Sequence, residues 1–161
     1  MRTRLVLAVF VLGLIAVGMA AAGMNGRWNT HPTGDNEVPP NASQAQAQAN
    51  LKLSDDGTSL SFKLNVANIE NVTQAHIHMA PAGSNGGIVA WLYPSDPPLQ
   101  LIPGRSSGTL GEGTITAGDL TGPLAGQPLS ALVAAIDAGN AYVNVHTSQF
   151  PGGEVRGQII R

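Results

Sequence analysis

Three observations predict an all-β domain, a Greek-key antiparallel β-sandwich or barrel with one short helix. Apolar and polar residues alternate with period two; the alternating runs are short and separated by turn residues; and charge is sparse, at 11% of residues against 20 glycines and 11 prolines. Period-two alternation buries one face of a strand, and turn residues at this frequency suit joined strands better than a helical bundle. Seven such runs with a single helical pattern among them fit a sandwich or barrel rather than alternating strand–helix units.

Ahead of the strands, Arg2 and Arg4 precede an apolar run from Leu5, and Ala20-Ala21-Ala22 offers a small-residue cleavage site before Gly23. These are the three parts of a secretory signal. Residues 1–22 are therefore expected to be a signal peptide and residues 23–161 a single exported domain, periplasmic, secreted or at the cell surface. The alternative is an uncleaved membrane anchor, since about 17–25 apolar residues can span a bilayer. Cleavage leaves six basic against ten acidic residues, a net charge of −4. The remaining basic side chains (Arg27, Lys52, Lys63, Arg105, Arg156 and Arg161) are dispersed, so no footprint for nucleic acid is present. With no cysteine in the chain, disulfides and thiolate metal sites are excluded, leaving imidazole and carboxylate as the strong ligands.

The first strand runs over 45–53, where Ala45, Ala47, Ala49, Leu51 and Leu53 alternate with Gln46, Gln48, Asn50 and Lys52. A low-complexity polar tract is the alternative, but the alternation continues in phase into Leu51 and Leu53. Ser54-Asp55-Asp56-Gly57 supplies turn chemistry, and Leu60, Phe62, Leu64 and Val66 alternate beyond it, so the two runs read as an antiparallel hairpin. Further strands are expected over 73–78, 88–93, 107–115, 141–146 and 154–160. Gly83-Ser84-Asn85-Gly86-Gly87 joins two strands and opens no helix, which makes it a hairpin turn rather than a phosphate cradle. Leu129, Leu132, Val133 and Ile136 recur at helical spacing, with Pro128 suited to the first turn and Gly139 to the C-terminal cap. This helix is expected to plug one end of the sandwich.

The chemistry lies in Ala75-His76-Ile77-His78 and Tyr142-Val143-Asn144-Val145-His146. Alternation turns Ala75, Ile77, Val143 and Val145 toward the core and aims His76, His78, Tyr142, Asn144 and His146 outward. If the two strands are neighbours, the outcome is a surface cluster of three imidazoles. Residues two apart in a strand are separated by roughly 6.6 Å, a span that two imidazoles can close onto one ion with bonds of about 2 Å. Among divalent ions, nitrogen donors favour copper, so copper is the first expectation and zinc the second. Asn144 could orient a ligand by hydrogen bonding. Met79 reads as loop packing rather than an axial ligand. His31, before Pro32 in a turn, reads as a solvated histidine.

Glu154, Arg156 and Gln158 share a face opposite Val155 and Ile159, and Pro151-Gly152-Gly153 forms the preceding turn. For Glu154 a cross-strand salt bridge is the simpler reading. Glu37, in Glu37-Val38-Pro39-Pro40, stands in an extended segment fixed by its prolines. The plain alternative to a metal site is that the histidines bond local backbone or Glu154 beneath loops. No nucleophile elbow, phosphate loop or glycosidase-type carboxylate pair is present. Asn41 and Asn71 lie in glycosylation triplets, used only where the organism has the machinery.

Asn36-Glu37-Val38-Pro39-Pro40, the Ala75–His78 motif followed by Pro81-Ala82-Gly83, and Tyr142–Thr147 leading to Pro151–Gln158 resemble the CHRD domain, named after repeats in chordin. The resemblance covers nearly all of residues 23–161 in the family's order. More distantly, His76 and His78 with a later His146 are similar to the copper ligands of copper-zinc superoxide dismutases, which have a Greek-key barrel. That similarity implies a mononuclear copper site, with Arg156 in the anion-guiding role toward a small anion or oxidant. The chain lacks the dismutase cysteine pair, bridging histidine and zinc loop, which favours a mononuclear site over a dismutase; any catalysis implied is that of a copper-dependent oxidoreductase of superoxide dismutase-like type. A non-catalytic structural or protein-interaction module without metal is the other expectation.

Overall fold

The computed structural model describes residues 26–161, so the expected signal peptide lies outside the described residues. The chain forms β1 (Arg27–Thr30), β2 (Gln46–Leu53), β3 (Leu60–Met79), β4 (Gly87–Tyr93), β5 (Ile102–Ile115), α1 (Leu129–Asp137), β6 (Ala141–Thr147) and β7 (Val155–Gln158). All strand pairs are antiparallel. Among the described residues no helix is long and apolar enough to cross a membrane.

The alternating segment 45–53 is a strand, not a polar tract: Ala47, Ala49 and Leu51 are buried while Gln46, Gln48, Asn50 and Lys52 are exposed. It pairs with β3 from Leu53↔Leu60 to Gln46↔Ala67, as the turn at 54–57 requires. The two strands expected over 60–66 and 73–78 are one 20-residue strand. Its pairing shifts register between Val66 and Ile69 and again between Glu70 and Val72, where Asn68 and Asn71 take positive φ of 55° and 54°. Asparagine tolerates that conformation, so the strand bends there instead of ending.

At the bend, Val72 pairs both with Ile102 of β5 and with Thr147 of β6. The first half of β3 therefore runs between β2 and β5, and the second half between β6 and β4. One strand thus pairs with four others in a single seven-stranded sheet. Main-chain bonds between Asn29 and Ile160 (2.8 and 2.9 Å) and between Thr33 and Arg156 (3.0 and 3.1 Å) link the opposite margins. The result is a nearly closed antiparallel barrel or sandwich with one α-helix among the described residues. β1, not expected from the sequence, is part of that closure; its four residues are too few to show a period.

The core joins the sheet and the helix. Leu60, Leu64, Ile69, Val72, Ala75, Ile77, Val143, Val145, Val155 and Ile159 are fully buried. Leu129, Leu132 and Ile136 of α1 enter the same cluster, while Val133 is only partly buried. Pro128 sits one residue outside the helix, at the N-cap, and Gly139 follows the C-cap with φ 71°. Replacing Leu132, a fully buried helix residue, by Ala is expected to cost about 2–5 kcal/mol through lost burial and the cavity left behind. Urea unfolding should show this as a lower midpoint at unchanged slope.

Candidate metal centre

The outward face of β3 and β6 is not a surface. His76 is 0% exposed, His78 8% and His146 6%, and Tyr142 and Asn144 beside them are also buried. The expectation of a surface cluster is corrected here. Three loops close over this face: the segment around Glu37, the turn 80–86 between β3 and β4, and the turn 148–154 between β6 and β7. A period-two pattern distinguishes the two faces of a strand, but not a loop-covered face from a solvated one.

The cluster itself forms as expected, because β3 pairs β6 with Gln74↔His146, His76↔Asn144 and His78↔Tyr142. One ligand atom from each of His76, His78 and His146 lies within 4.8 Å of the other two. Nδ1 of His76 is 3.3 Å from Nε2 of His146. Nδ1 of His146 bonds the Pro151 carbonyl, so in this contact Nε2 of His146 accepts and Nδ1 of His76 donates, leaving Nε2 as the lone-pair nitrogen of His76.

The turns fix how each ring is used. Nδ1 of His78 lies 3.0 Å from the Gly86 carbonyl, and Nδ1 of His146 lies 2.9 Å from the Pro151 carbonyl. A carbonyl can only accept, so Nδ1 carries the proton on both rings and Nε2 keeps its lone pair. Liganding histidines typically spend their second nitrogen in this way. Nε2 of His78 and Nε2 of His76 are buried with no hydrogen-bond partner. Buried polar atoms are usually paired, and these two orphaned nitrogens fit a metal ligand set.

Burial is also the main electrostatic effect. It drives the His76 pKa down to about 3, helped by the neighbouring His146 and His78. His78 falls to about 4 through burial and the charges of His146 and Arg156, against the Gly86 bond, which favours the protonated form. His146 is lowered by burial, opposed by the Pro151 bond. All three rings are thus neutral near pH 7, the state in which imidazole ligates.

The remaining expected residues frame the cluster. Asn144 donates from Nδ2 to Glu37 Oε1 at 2.5 Å and to the Val155 carbonyl at 3.0 Å, and not to an imidazole. Glu154 forms no salt bridge with Arg156; its carboxylate accepts from Thr147 Oγ1 at 2.7 Å and Ser43 Oγ at 2.6 Å. Hydroxyls reach it because the Ser43 segment folds across the β6–β7 turn. Arg156, expected to guide an anion, is 2% exposed, with its guanidinium 3.5 Å over the Tyr142 ring. Met79 packs against the core, and His31 is exposed on a separate segment.

Glu37, Tyr142 and Trp91 matter more than the sequence suggests. Glu37 is buried, and desolvation raises its pKa against the opposing pull of the Asn144 bond and the Arg156 charge. A Cβ on Gly153 would lie 2.6 Å from the Asn144 amide and 2.7 Å from Glu37 Oε1, so only glycine closes this turn over them. Tyr142 stacks on His78 at 4.9 Å, and Trp91 meets His76 edge-on at 4.3 Å. Trp91 also lines a cleft of about 620 Å³ between β4 and β5. The Glu37-Val38-Pro39-Pro40 segment was the visible signal for Glu37. For the two aromatics only strand pairing could reveal the contact.

The pKa shifts set a sign for the metal-free protein. Unfolded histidines take up protons as pH falls below about 6.5, while the folded rings resist until about 4 and 3 for His78 and His76. Their contribution to stability is complete above about pH 6.5 and is lost as pH drops toward 4. Glu37, with its raised pKa, acts in the opposite sense, one carboxyl against three imidazoles. The urea midpoint of chelator-treated protein should therefore be lower at pH 5 than at pH 7.5. A triple His76→Gln, His78→Gln, His146→Gln variant should lose most of that difference.

A family model for the CHRD domain matches residues 28–159, from Trp28 within the closing strand β1 to Ile159, a core residue just after β7. No curated protein and no solved structure matches the chain, so the similarity to copper-zinc superoxide dismutases rests on the residue pattern alone. The matched stretch contains every histidine of the cluster and all three turns that cover it, and the chain belongs to the CHRD domain family.

Proposed function

We propose that this CHRD-domain protein is an exported metal-binding protein that holds one ion through His76, His78 and His146. The observation that carries the reading is the pair of buried, unpartnered Nε2 atoms on His76 and His78, within a cluster whose ligand atoms lie within 4.8 Å of one another. Two of the three rings have Nδ1 bonded to a main-chain carbonyl, which leaves Nε2 as donor.

Copper is the favoured ion and zinc the second. The ligand set is all nitrogen, and the Irving–Williams order places copper highest for such donors. Export rests on the N-terminal sequence, with its basic start, apolar run and small-residue cleavage site. The function is binding, and redox or superoxide chemistry is what a copper-loaded site would add. Small anions or oxidants and protein partners are the remaining candidates for what the loaded domain meets. A structural or interaction module without metal is the competing reading, favoured by the backbone bonds that His78 and His146 already make.

Metal analysis of the secreted domain, expressed with copper and separately with zinc, decides between them. The expected outcome is close to one copper per chain, lost in the triple His76→Ala, His78→Ala, His146→Ala variant. Copper at about 100 times its Kd should also stabilise the wild-type protein by about 2.7 kcal/mol and leave the variant unmoved. A folded wild-type protein that binds neither metal would overturn the metal reading.

A further inference from the structure

Arg156 is a buried cation whose hydrogen bonds all go to neutral acceptors. Its guanidinium donates to Asn85 Oδ1 (3.1 Å), the Ser84 carbonyl (2.6 Å) and the Pro81 carbonyl (3.3 Å). All three acceptors belong to the 80–86 turn. Burying a guanidinium is costly unless its donors are satisfied, and here satisfaction comes from that one turn together with the Tyr142 ring beneath it. Within the turn only Ser84 N–H to the Pro81 carbonyl, at 3.2 Å, closes a main-chain bond. Asn85 also donates to the Val38 carbonyl at 3.0 Å, so the clasp reaches the Glu37 segment.

The turn ends at Gly86, and Gly86 is tied to His78 twice. Its carbonyl faces Nδ1 of His78, while its N–H donates to the Tyr142 hydroxyl at 3.2 Å. The Tyr142 ring in turn stacks on His78 with 8° between the planes. A Cβ on Gly86 would lie 2.0 Å from the Met79 carbonyl, so the chain comes this close to β3 only as glycine. The route from Arg156 to His78 therefore has two arms, through the turn to the Gly86 carbonyl and through the Tyr142 ring. His146 is held separately, by Pro151 on another turn.

We infer that Arg156 is a positioning residue that clasps the 80–86 turn and thereby fixes the tautomer and aim of His78. The inference deepens the metal reading, since the nitrogen it leaves free is the proposed donor. Its primary test needs no metal. Imidazole ¹⁵N shifts of the metal-free protein report which nitrogen of each histidine carries the proton, and His146 serves as the internal control. Wild-type protein should show His78 and His146 protonated at Nδ1 alone. In Arg156→Met, His78 should become a mixture of tautomers while His146 stays unchanged. Arg156→Lys, which keeps the charge but loses the fork of donors, should fall between.

If His78 keeps a single Nδ1–H tautomer in Arg156→Met, or if His78 and His146 change together, the inference is overturned. The second pattern would mean general loosening. Copper titration then gives the consequence: affinity should fall at least tenfold in Arg156→Met, in line with loss of the partner that orients a ligand. A selective tautomer change in a protein that binds no copper would sink the metal reading while leaving the role of Arg156 standing.

Discussion

The structure depends on β3 pairing along both edges with four different strands. Within one seven-stranded sheet, β3 has β2 and β5 as neighbours for its first half, then β6 and β4 for its second. The exchange requires a bend without a break in the ladder, and Asn68 and Asn71 provide it by taking conformations that β-branched residues would resist. Everything that brings chemistry together follows. Because the strand continues past the bend, His76 and His78 lie beside β6, in register with Asn144 and Tyr142. Two separate strands joined by a loop would not fix that register to the residue.

Once β3 and β6 share a sheet, one face meets the core and the other carries imidazoles, an amide and a phenol. Closing loops over that second face removes water from all of them, and each polar atom then needs a protein partner. The solution is main chain rather than opposite charge. Glycine- and proline-rich turns bring carbonyls to Nδ1 of His78 and His146, and Asn144 bridges Glu37 to the β7 backbone. Carbonyls suit the task because they hold a neutral imidazole in one tautomer, where a carboxylate would favour the charged ring. The depressed histidine pKa values come from the burial itself, against the pull of these carbonyls, while the unpaired Nε2 of His78 follows from the bond its Nδ1 makes to Gly86.

The legible part of the fold was the part with period. The Ala/Gln strand, the hairpin at 54–57, the helix from Leu129 and the inward set Ala75, Ile77, Val143 and Val145 follow from alternation or helical spacing. The bend at Asn68 and Asn71 did not, since two asparagines in a polar stretch look like a loop and become strand only through partners far away in sequence. The cluster was legible as a spacing and illegible as an environment. His-x-His with a later histidine is written locally, whereas its burial depends on the turns at 80–86 and 148–154. Glu154 shows the same limit: Arg156 two residues along suggests an ion pair, while the hydroxyls that occupy it come from Ser43 and Thr147.

These features separate this cluster from histidines that merely lie close together. Chance neighbours on a surface are solvated, free to rotate and able to take up protons. Here the rings are buried, neutral near pH 7, and wedged by aromatic contacts to Tyr142 and Trp91. Leaving two imidazole nitrogens orphaned in such a place costs on the order of 1–3 kcal/mol each, a cost that hydrophobic residues of similar shape would avoid. An ion would supply the missing partner to both at once, and with no carboxylate among its ligands it would retain its full positive charge. The buried guanidinium of Arg156 would oppose that charge and the Glu37 carboxyl would favour it, the latter more strongly once ionised. Burial of that carboxyl raises its pKa, against the pull of the Asn144 bond and the Arg156 charge.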